Sequence, residues 1–294
     1  MSSRASPETM RCRVILVTGA TGKIGREVVA ELLDRGADSR ALARDPAKAS
    51  LPEGVEVVRG DLSDPSSLAP ALEEVDAVFL LWAVGSDETA PAVIEAIGRQ
   101  ASRVVYLSAM GIPDDPAAEL DPILSSHRRV EQLIEGSGLE WTFVRAGGLA
   151  GNTLGWAHEI RADGVVREPF GGVPRALVHE RDVAVIATRA LTEDGHQGRR
   201  YEVTGPEVVS GDEQVQAIAD AIDRPLRLEA LSREDARERL VATMGDAATA
   251  ESMLDAWAGM AADPEPPTDT FERLTGRRGS TFHEWARDHA ADFA

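Results

Sequence analysis

A glycine-rich turn set between an apolar run and an amphipathic run constrains the fold of this chain most strongly. The turn is Thr18-Gly19-Ala20-Thr21-Gly22-Lys23-Ile24-Gly25. The predicted strand Arg13 to Thr18 precedes it, and apolar residues recur at helical spacing in Lys23 to Arg35 after it. A strand that is apolar on both faces is typical of a covered parallel sheet. The sequence therefore predicts a βαβ unit.

The alternation of short apolar runs and longer amphipathic runs continues to about residue 145. Five more buried strands are predicted at Ser39 to Ala43, Val55 to Val58, Ala77 to Trp82, Val104 to Ser108 and Trp141 to Val144. Helices are predicted at Glu88 to Arg99 and Pro122 to Glu135, and further helix starts at Asp45-Pro46 and Asp64-Pro65. Six such strands predict the α/β class with a doubly wound parallel (Rossmann) sheet, which binds ligands at the carboxyl ends of its strands.

Each glycine of the turn has a use in binding a dinucleotide. Gly19 lets the chain turn, Gly22 lets the backbone approach a pyrophosphate, and Gly25 lets helix and strand pack closely. The free N–H groups at the start of the helix favour an anion. The turn therefore predicts a bound dinucleotide, although a tight connection alone would also use glycines.

The residue at the end of the second predicted strand selects the nucleotide. Arg44 stands about 20 residues beyond the turn, where an acidic side chain would accept from a ribose hydroxyl. A guanidinium pairs with a 2′-phosphate, so the sequence predicts NADPH in preference to NADH. Alternatively, Arg44 is a solvated surface residue and Asp45 faces the ribose. Asp61 is predicted to accept from the adenine amino group, or else to form a turn or a cap.

Composition excludes several classes of partner. The net charge of −19 opposes binding to nucleic acid or to an anionic membrane. Cys12 is the single cysteine, which excludes an internal disulfide and predicts a cytoplasmic protein. No apolar run reaches the length of a membrane span, and no histidine pair shows metal-ligand spacing, so no membrane and no metal are expected. His158 and His179 are expected to be structural or to line a pocket.

Several segments resemble the atypical short-chain dehydrogenase/reductases, in particular the NmrA-like NAD(P)H-binding group. These segments are TGATGKIG at 18–25, ARDPAKA at 43–49, GDLSD at 60–64, VVYLSAMG at 104–111, SGLEWTFVRAGGLAGN at 137–152, HERDVA at 179–184 and YEVTGPE at 201–207. The resemblance and the glycine turn together predict a cofactor site. Its residues are Gly19, Ala20, Thr21, Gly22, Lys23, Ile24, Gly25, Arg44, Asp61, Leu62, Leu81, Trp82 and Ala83.

The catalytic Tyr-x-x-x-Lys signature of that superfamily is missing. Tyr106 is followed four residues later by Met110, and Tyr201 by Gly205. By the resemblance, Ile123 occupies the tyrosine position and His127 the lysine position. His127, one helical turn before Glu131, is the first candidate proton donor, and Ser108 is a candidate hydrogen-bond donor to a substrate carbonyl. The alternatives are that His127 packs structurally or binds the ribose, and that Ser108 satisfies local backbone.

A substrate pocket is predicted above the nicotinamide, with the alternative that its aromatic and methionine residues are core. Its residues are Trp82, Met110, Gly148, Asn152, Trp156 and Phe170. The predicted layout is a flexible tail at 1–11, an NAD(P)-binding domain at 12–150 and a smaller, mostly helical lid at 151–294. Beyond residue 145, a helix at Arg181 to Leu191 and a strand at Arg200 to Thr204 are predicted, with helices alone from Gly211 onward.

The sequence predicts an NADPH-dependent reductase, monomeric or homodimeric, acting on a flat, largely apolar small molecule such as a quinone, an enone or an aryl ketone. Two alternatives stay open at this point. One is a regulator that senses NADP(H) and binds a protein partner without turnover. The other is an epimerase that uses a tightly held nucleotide.

Overall fold

A seven-stranded parallel sheet forms the centre of the protein. The structure, a computed structural model, describes residues 14–115 and 117–294; the predicted tail at 1–11 and Cys12 lie outside them. The strand order in the sheet is 3-2-1-4-5-6-8 in chain numbering. Two hydrogen bonds, from the N–H of Gly198 to the carbonyl of Trp141 and from the N–H of Gly147 to the carbonyl of Val203, show that the eighth strand of the chain runs parallel to the sixth. The predicted doubly wound α/β fold is therefore confirmed.

The elements follow one another with the alternation that the sequence predicts. The strands are β1 (Val14–Val17), β2 (Ser39–Ala43), β3 (Glu56–Arg59), β4 (Val75–Leu81), β5 (Arg103–Ala109), β6 (Glu140–Ala146), β7 (Val165–Pro169), β8 (Arg199–Val203) and β9 (Arg227–Leu231). The helices are α1 (Lys23–Asp34), α2 (Ala69–Leu72), α3 (Ala90–Gly98), α4 (Pro122–Glu135), α5 (Ala157–Asp163), α6 (Glu180–Thr192), α7 (Gly211–Ala221), α8 (Arg233–Met244), α9 (Ala247–Ala262), α10 (Thr270–Thr275), α11 (Phe282–Asp288) and α12 (Ala290–Phe293).

Helix α1 shows how the apolar pattern positions the nucleotide loop. Its buried side chains are Ile24, Val28, Val29 and Leu32. They lie on one helical stripe, so burying them against the sheet fixes the start of the helix at the end of β1. Gly36 follows the end of α1 in the left-handed region, at φ 68°, which is typical of a glycine that terminates a helix.

The two helix starts predicted at Asp45-Pro46 and Asp64-Pro65 have different outcomes. Pro46–Lys48 is a short 3₁₀ turn, and the side chain of Asp45 makes no cap hydrogen bond there. Pro65–Leu68 is also a 3₁₀ turn, although Asp64 does accept the N–H of Ser66 as a cap. The turn at Pro46 ends there, whereas Pro65–Leu68 runs directly into α2 (Ala69–Leu72). The helix start predicted at Asp64-Pro65 is therefore confirmed, and only its first turn is 3₁₀.

The expectation of helices alone after Gly211 is wrong. Strand β9 pairs in parallel with β7, from Val165 opposite Arg227 to Pro169 opposite Leu231. Three of the five residues in Arg227–Leu231 are exposed and two are half-buried, without a regular alternation. Its pattern was hidden because its partner lies about 60 residues earlier and the pair forms a separate two-stranded sheet.

Contacts between Cα atoms divide the chain into two compact units. One comprises residues 14–106 together with Gln132–Thr142 and Ala187–Gly198, and the other comprises the described residues of Leu107–Glu131, Phe143–Ile186 and Arg199–Ala294. The second unit has its own core, which includes Ile160, Ile218 and Trp285. The units alternate along the chain, whereas the sequence predicts one boundary near residue 150, and that domain layout stays a prediction.

Helices long and apolar enough to cross a bilayer do not occur among residues 14–115 and 117–294.

Candidate functional site

A cleft of about 370 Å³ lies in the first unit where β1, β2 and β4 end. Open parallel sheets bind nucleotides at this edge, where helix N-termini and loop N–H groups face outward. The cleft is lined by Gly19, Thr21, Gly22, Leu42, Ala43, Arg44, Gly60, Asp61, Leu62, Ser63, Leu81, Ala83, Val84 and Gly85.

The glycine turn at the cleft is too closely packed to carry larger side chains. Gly19 has φ +63°, a conformation that L-residues with a Cβ rarely adopt. A Cβ on Gly25 would lie 2.1 Å from the carbonyl oxygen of Gly19. The N–H of Gly22 donates to the same oxygen at 2.9 Å. The turn therefore presses directly on the first turn of α1, as the spacing of its glycines predicts.

A side chain at the end of β1 fixes the neighbouring strand end. The Thr18 hydroxyl accepts the N–H of Leu81 at 2.8 Å and donates to the Leu81 carbonyl at 3.1 Å. Thr18 is 2 % exposed. The two bonds lock the ends of β1 and β4 together, and this holds Leu81 at the cleft beside the glycine turn.

Arg44 and Asp45 are separated by their contacts. Arg44 is exposed and lines the cleft directly after β2. The Asp45 carboxylate lies 3.0 Å from the ammonium of Lys48. Asp45 is also not among the lining residues of the cleft, so a cation rather than a carboxylate stands where a ribose 2′-substituent is read in this fold.

Asp61 closes the opposite side of the cleft in a short turn. Its carboxylate accepts the N–H of Ser63 at 2.9 Å, and its own N–H donates to the Ser67 hydroxyl at 2.9 Å. The hydrogen bond from Ser63 lowers the pKa of Asp61, and the charge of Arg44 adds to this effect. The carboxylate forms the turn that the sequence offers as one alternative, and its contact with an adenine amino group stays a prediction.

The structure gathers part of the predicted cofactor set and leaves part outside the cleft. Gly19, Thr21, Gly22, Arg44, Asp61, Leu62, Leu81 and Ala83 line it, whereas Ala20, Lys23, Ile24, Gly25 and Trp82 do not. Ala20 and Ile24 are buried under the turn, at 0 % and 5 % exposed.

Sequence reasoning missed Leu42, Ala43, Gly60, Ser63, Val84 and Gly85. Each lies within two residues of a predicted contact, so a search that extended two residues to either side of every predicted contact would have found them.

Ser108 lies at the end of β5 in the second unit and is 3 % exposed. Its hydroxyl oxygen is buried and has no hydrogen-bond partner among the residues that the structure describes. The alternative that this serine satisfies local backbone is therefore wrong. A buried hydroxyl without a partner is costly, which is the arrangement expected of a group that meets a ligand.

His127 and Glu131 share a face of α4, but the glutamate is engaged elsewhere. Arg145 donates to both oxygens of Glu131, at 3.0 Å and 2.6 Å. Burial lowers the pKa of His127, against the smaller raising effects of Glu131 and Asp121. The imidazole is therefore neutral at pH 7 and Glu131 orients Arg145. Sequence reasoning missed Arg145, whose partner is distant in sequence.

The predicted substrate-pocket residues have separate described contacts. Trp156 packs against the core of the second unit and donates from Nε1 to Glu168 at 2.5 Å. Phe170 is 40 % exposed, Asn152 is exposed, and Met110 and Trp82 are half-buried. The pocket made of these residues stays a prediction, and for Trp156 the core alternative has a direct contact in its favour.

Gly148 forms the most constrained point of that segment. A Cβ there would lie 2.7 Å from the guanidinium carbon of Arg175. Glu265 accepts the N–H of Gly148 at 3.3 Å and pairs with Arg175 at 3.3 Å. Neither charged residue was predicted, and their distance in sequence from Gly148 hides the contact.

The comparisons with known proteins decide the family. A family model described as NAD(P)H-binding matches residues 19–194, which is more than half of the chain. The chain belongs to this family. The resemblance to the NmrA-like group of atypical short-chain dehydrogenase/reductases is thereby confirmed, and the chain is an NAD(P)H-dependent oxidoreductase that lacks the Tyr-x-x-x-Lys pair.

Two relatives align over nearly their whole length. The chain is 41 % identical over 285 residues to "(4-alkanoyl-5-oxo-2,5-dihydrofuran-3-yl)methyl phosphate reductase" of Streptomyces griseus, covering 96 % of this chain and 99 % of that one. It is 35 % identical over 290 residues to NAD(P)H azoreductase of Xenophilus azovorans, covering 95 % and 99 %. Both of these relatives are named as reductases.

Two solved structures share the fold. The NADPH-dependent quinone oxidoreductase of Escherichia coli, solved with NADPH, has TM-score 0.77 at 24 % identity and covers 93 % of this chain and 99 % of that one. The triphenylmethane reductase of Citrobacter sp., solved with NADP(H), has TM-score 0.77 at 22 % identity and covers 94 % and 99 %.

Proposed function

We propose that this protein transfers hydride from NADPH to a conjugated carbon–carbon double bond or a carbonyl of a small, flat molecule. Arg44 at the end of β2 carries the cofactor part of the proposal, because it lines the cleft while Asp45 is held by Lys48. A guanidinium binds a phosphate by charge-assisted hydrogen bonds and has no matching use for a free ribose hydroxyl.

The substrate class follows from the reductase of Streptomyces griseus. In its named substrate, the ring double bond carries the 4-alkanoyl group and adjoins the 5-oxo group. That double bond is conjugated to two carbonyls, which makes it an acceptor of hydride of the enone class that the sequence predicts. The identity of 41 % over 96 % of this chain supports a substrate of the same chemistry here.

The protein's own groups have to handle oxygen charge and a proton. Bound NADPH supplies the hydride. The Ser108 hydroxyl has no hydrogen-bond partner among the described residues. This supports the proposal that it donates a hydrogen bond to the substrate oxygen on which negative charge builds. His127, neutral at pH 7, donates its ring N–H as a hydrogen bond to a water, and that water supplies the proton and is replaced from solvent.

The test is to mix the protein with NADPH and each of three acceptors, and to follow the nicotinamide absorbance. The acceptors are a 4-acyl-2,5-dihydrofuran-5-one, a quinone and an azo dye. We expect the acyl butenolide to be reduced fastest, with its ring double bond saturated in the product. Preferred reduction of the azo dye would overturn the substrate class while leaving the reductase activity intact, and preferred reduction of the quinone would overturn the choice of the acyl butenolide within that class.

Ser108→Ala separates catalysis from binding. Removing one donor to a developing oxyanion slows the chemical step about a hundredfold. The expected result is therefore a lower kcat with the Kd for NADPH unchanged. Ser102→Ala is the matched control, because this serine lies exposed just before β5; equal rates for the two variants would remove Ser108 from the mechanism.

The non-catalytic regulator has one observation in its favour. Ile123, at the position of the missing tyrosine, has a hydrocarbon side chain and therefore offers no proton. It is 63 % exposed on α4. Tight binding of both NADPH and NADP⁺ with no turnover of any acceptor would favour that function. We also propose a cytoplasmic location and a monomer or homodimer, which cell fractionation and light scattering test directly.

A further inference from the structure

The start of α6 and the last two helices bring together three ligand-type side chains that the nucleotide cleft does not use. They are His179, Glu180 and His289. His179 and Glu180 are 4 % and 3 % exposed, and His289 is half-buried. One possible ligand atom from each residue lies within 4.8 Å of those of the other two. All three belong to the second unit.

Glu180 is a buried carboxylate without a hydrogen bond. Both of its oxygens are inaccessible, and neither has a hydrogen-bond partner among the residues described. As the first residue of α6, it gains from the positive end of the helix. That field favours a negative charge but gives neither oxygen a donor, and buried charges are retained in proteins when they are paired or coordinate a metal.

The two imidazoles turn one nitrogen each toward this carboxylate. Nδ1 of His179 lies 3.4 Å from one oxygen of Glu180, and Nε2 of His289 lies 4.0 Å from the other. Their remaining nitrogens face carboxylates: Nε2 of His179 lies 3.3 Å from Asp288, and Nδ1 of His289 lies 2.9 Å from Asp292. A histidine that binds a metal generally donates its other N–H to a carboxylate in this way.

The packing around the cluster fixes its geometry. The ring of His289 lies on Trp285, with centroids 4.8 Å apart, and Trp285 is fully buried. Asp182, in the first turn of α6, accepts the N–H of Ser280 at 2.5 Å and its hydroxyl at 3.1 Å. The two hydrogen bonds between Asp182 and Ser280 hold the segment just before α11 against the start of α6, so the three side chains have little freedom to move apart.

One of the possible ligand atoms, Nδ1 of His179, already accepts a hydrogen bond. The N–H of Arg181 donates to Nδ1 of His179 at 3.1 Å. A metal at this nitrogen would replace that single neutral hydrogen bond. The exchange is favourable because the metal also neutralises Glu180, which the N–H of Arg181 does not do.

We propose that His179, Glu180 and His289 form a binding site for a divalent transition metal, with Zn²⁺ as the ion that best fits two imidazoles and one carboxylate. Tetrahedral Zn²⁺ with bonds of about 2.1 Å places its ligand atoms about 3.4 Å apart. Nδ1 of His179 and one oxygen of Glu180 already have this separation. Nε2 of His289 lies 4.0 Å from the other oxygen, and the three ligand atoms lie within 4.8 Å of one another, so His289 has to move toward the other two ligands. A water completes the coordination.

The site has a structural role. It joins the start of α6 to α11 and α12 at the end of the chain, so bound metal stabilises the second unit without entering hydride transfer. The metal site could not be predicted from the sequence, because His179 and His289 stand far apart in the chain and do not form a motif with each other.

The test uses the full chain with Cys12→Ser, free of any affinity tag and treated with a chelator. Calorimetry with Zn²⁺ should show one ion per chain. At a hundred times the Kd, a ligand specific for the folded state should raise the melting temperature by about 5 °C. Absence of heat and of any thermal shift would overturn the proposal.

Three variants locate the ion. Glu180→Gln and His289→Gln should each lose the thermal shift, whereas His283→Gln, on the exposed face of α11, should keep it in full. Glu180→Gln should melt no lower than the parent without metal, because it removes a buried charge that has no donor. Retention of the Zn²⁺ shift in both Glu180→Gln and His289→Gln would place the ion elsewhere, and the near-ultraviolet circular dichroism of each variant, which reports the packing of the buried Trp285, checks that the second unit is folded.

Discussion

Arg145 at the end of β6 holds Glu131 of α4 in a two-pronged ion pair, with nitrogen–oxygen distances of 3.0 Å and 2.6 Å. The side chains are 6 % and 4 % exposed. A third bond from Arg145 reaches the carbonyl of Ile112 at 3.0 Å. The pair therefore ties the helix that carries His127 to a strand of the sheet.

Arg145→Met should destabilise the protein by about 3–5 kcal/mol, because it leaves the Glu131 carboxylate buried and uncompensated. Adding Glu131→Leu should recover most of that loss, since a pair of apolar side chains needs no partner. Urea denaturation measures both free energies of unfolding. The control is Arg99→Ala, whose partner Glu95 is exposed, and whose cost should stay below about 1 kcal/mol. A double variant as unstable as Arg145→Met would contradict this account.

The fold was predictable because its signals are local. Strand β2 was predicted at its observed bounds, Ser39–Ala43, from five consecutive residues. Strand β9 was not, since its pairing with β7 brings together segments about 60 residues apart and each alone has a weak pattern. Local periodicity identifies an element when its own side chains form the buried face, and it fails when a distant partner decides.

Gly25→Ala tests the packing of the nucleotide turn. The added Cβ would lie 2.1 Å from the carbonyl oxygen of Gly19, a backbone atom that has no free space. We expect a loss of about 1–3 kcal/mol in the free energy of unfolding, together with weaker binding of NADPH. Both are measured by thermal denaturation with and without the cofactor.

Gly98→Ala is the matched control for that substitution. Gly98 also lies in a helix, but its Cβ would meet nothing within 4 Å. Alanine there should be neutral or stabilising by up to about 1 kcal/mol, because glycine is the poorer helix former. Similar behaviour of the two variants would show that close packing at Gly25 does not limit the turn.

Arg44→Ala should weaken NADPH binding about 10- to 100-fold and change NADH binding little. A hydrogen bond to a charged group contributes about 1.5–3 kcal/mol, and the 2′-phosphate is the group by which the two cofactors differ. Fluorescence titration gives both dissociation constants. Asp45→Asn is the control, because Asp45 pairs with Lys48 and is absent from the cleft lining. Equal weakening of both cofactors by Arg44→Ala would overturn the NADPH assignment.

The candidate site was predictable as far as it lies next to sequence motifs. Arg44 and Asp61 follow their strands directly, and the structure lines the cleft with both. The partner of Glu131 was not predictable, because the sequence offers His127 one helical turn away whereas the fold brings in Arg145 from another element. Nothing in the pattern of α4 shows which of these two the carboxylate meets.

Neutral His127 leads to a pH dependence that can be measured. Burial lowers the pKa of this imidazole below its usual value of about 6.5. Between that lowered pKa and about 6.5, the unfolded chain binds a proton that the folded chain does not. The stability contributed by neutral His127 is therefore fully present above pH 6.5 and is lost as the pH falls through the folded pKa.

Two measurements check this. The ring-proton resonance of His127, assigned by its absence in His127→Gln, should titrate with a midpoint below 6.5 in the folded protein. His127→Gln should also lose less stability than the parent between pH 7 and pH 5, because glutamine binds no proton in either state. A midpoint above 6.5 would mean that the charged imidazole is favoured in the folded state, and His127 would then act as an imidazolium acid with the opposite pH dependence.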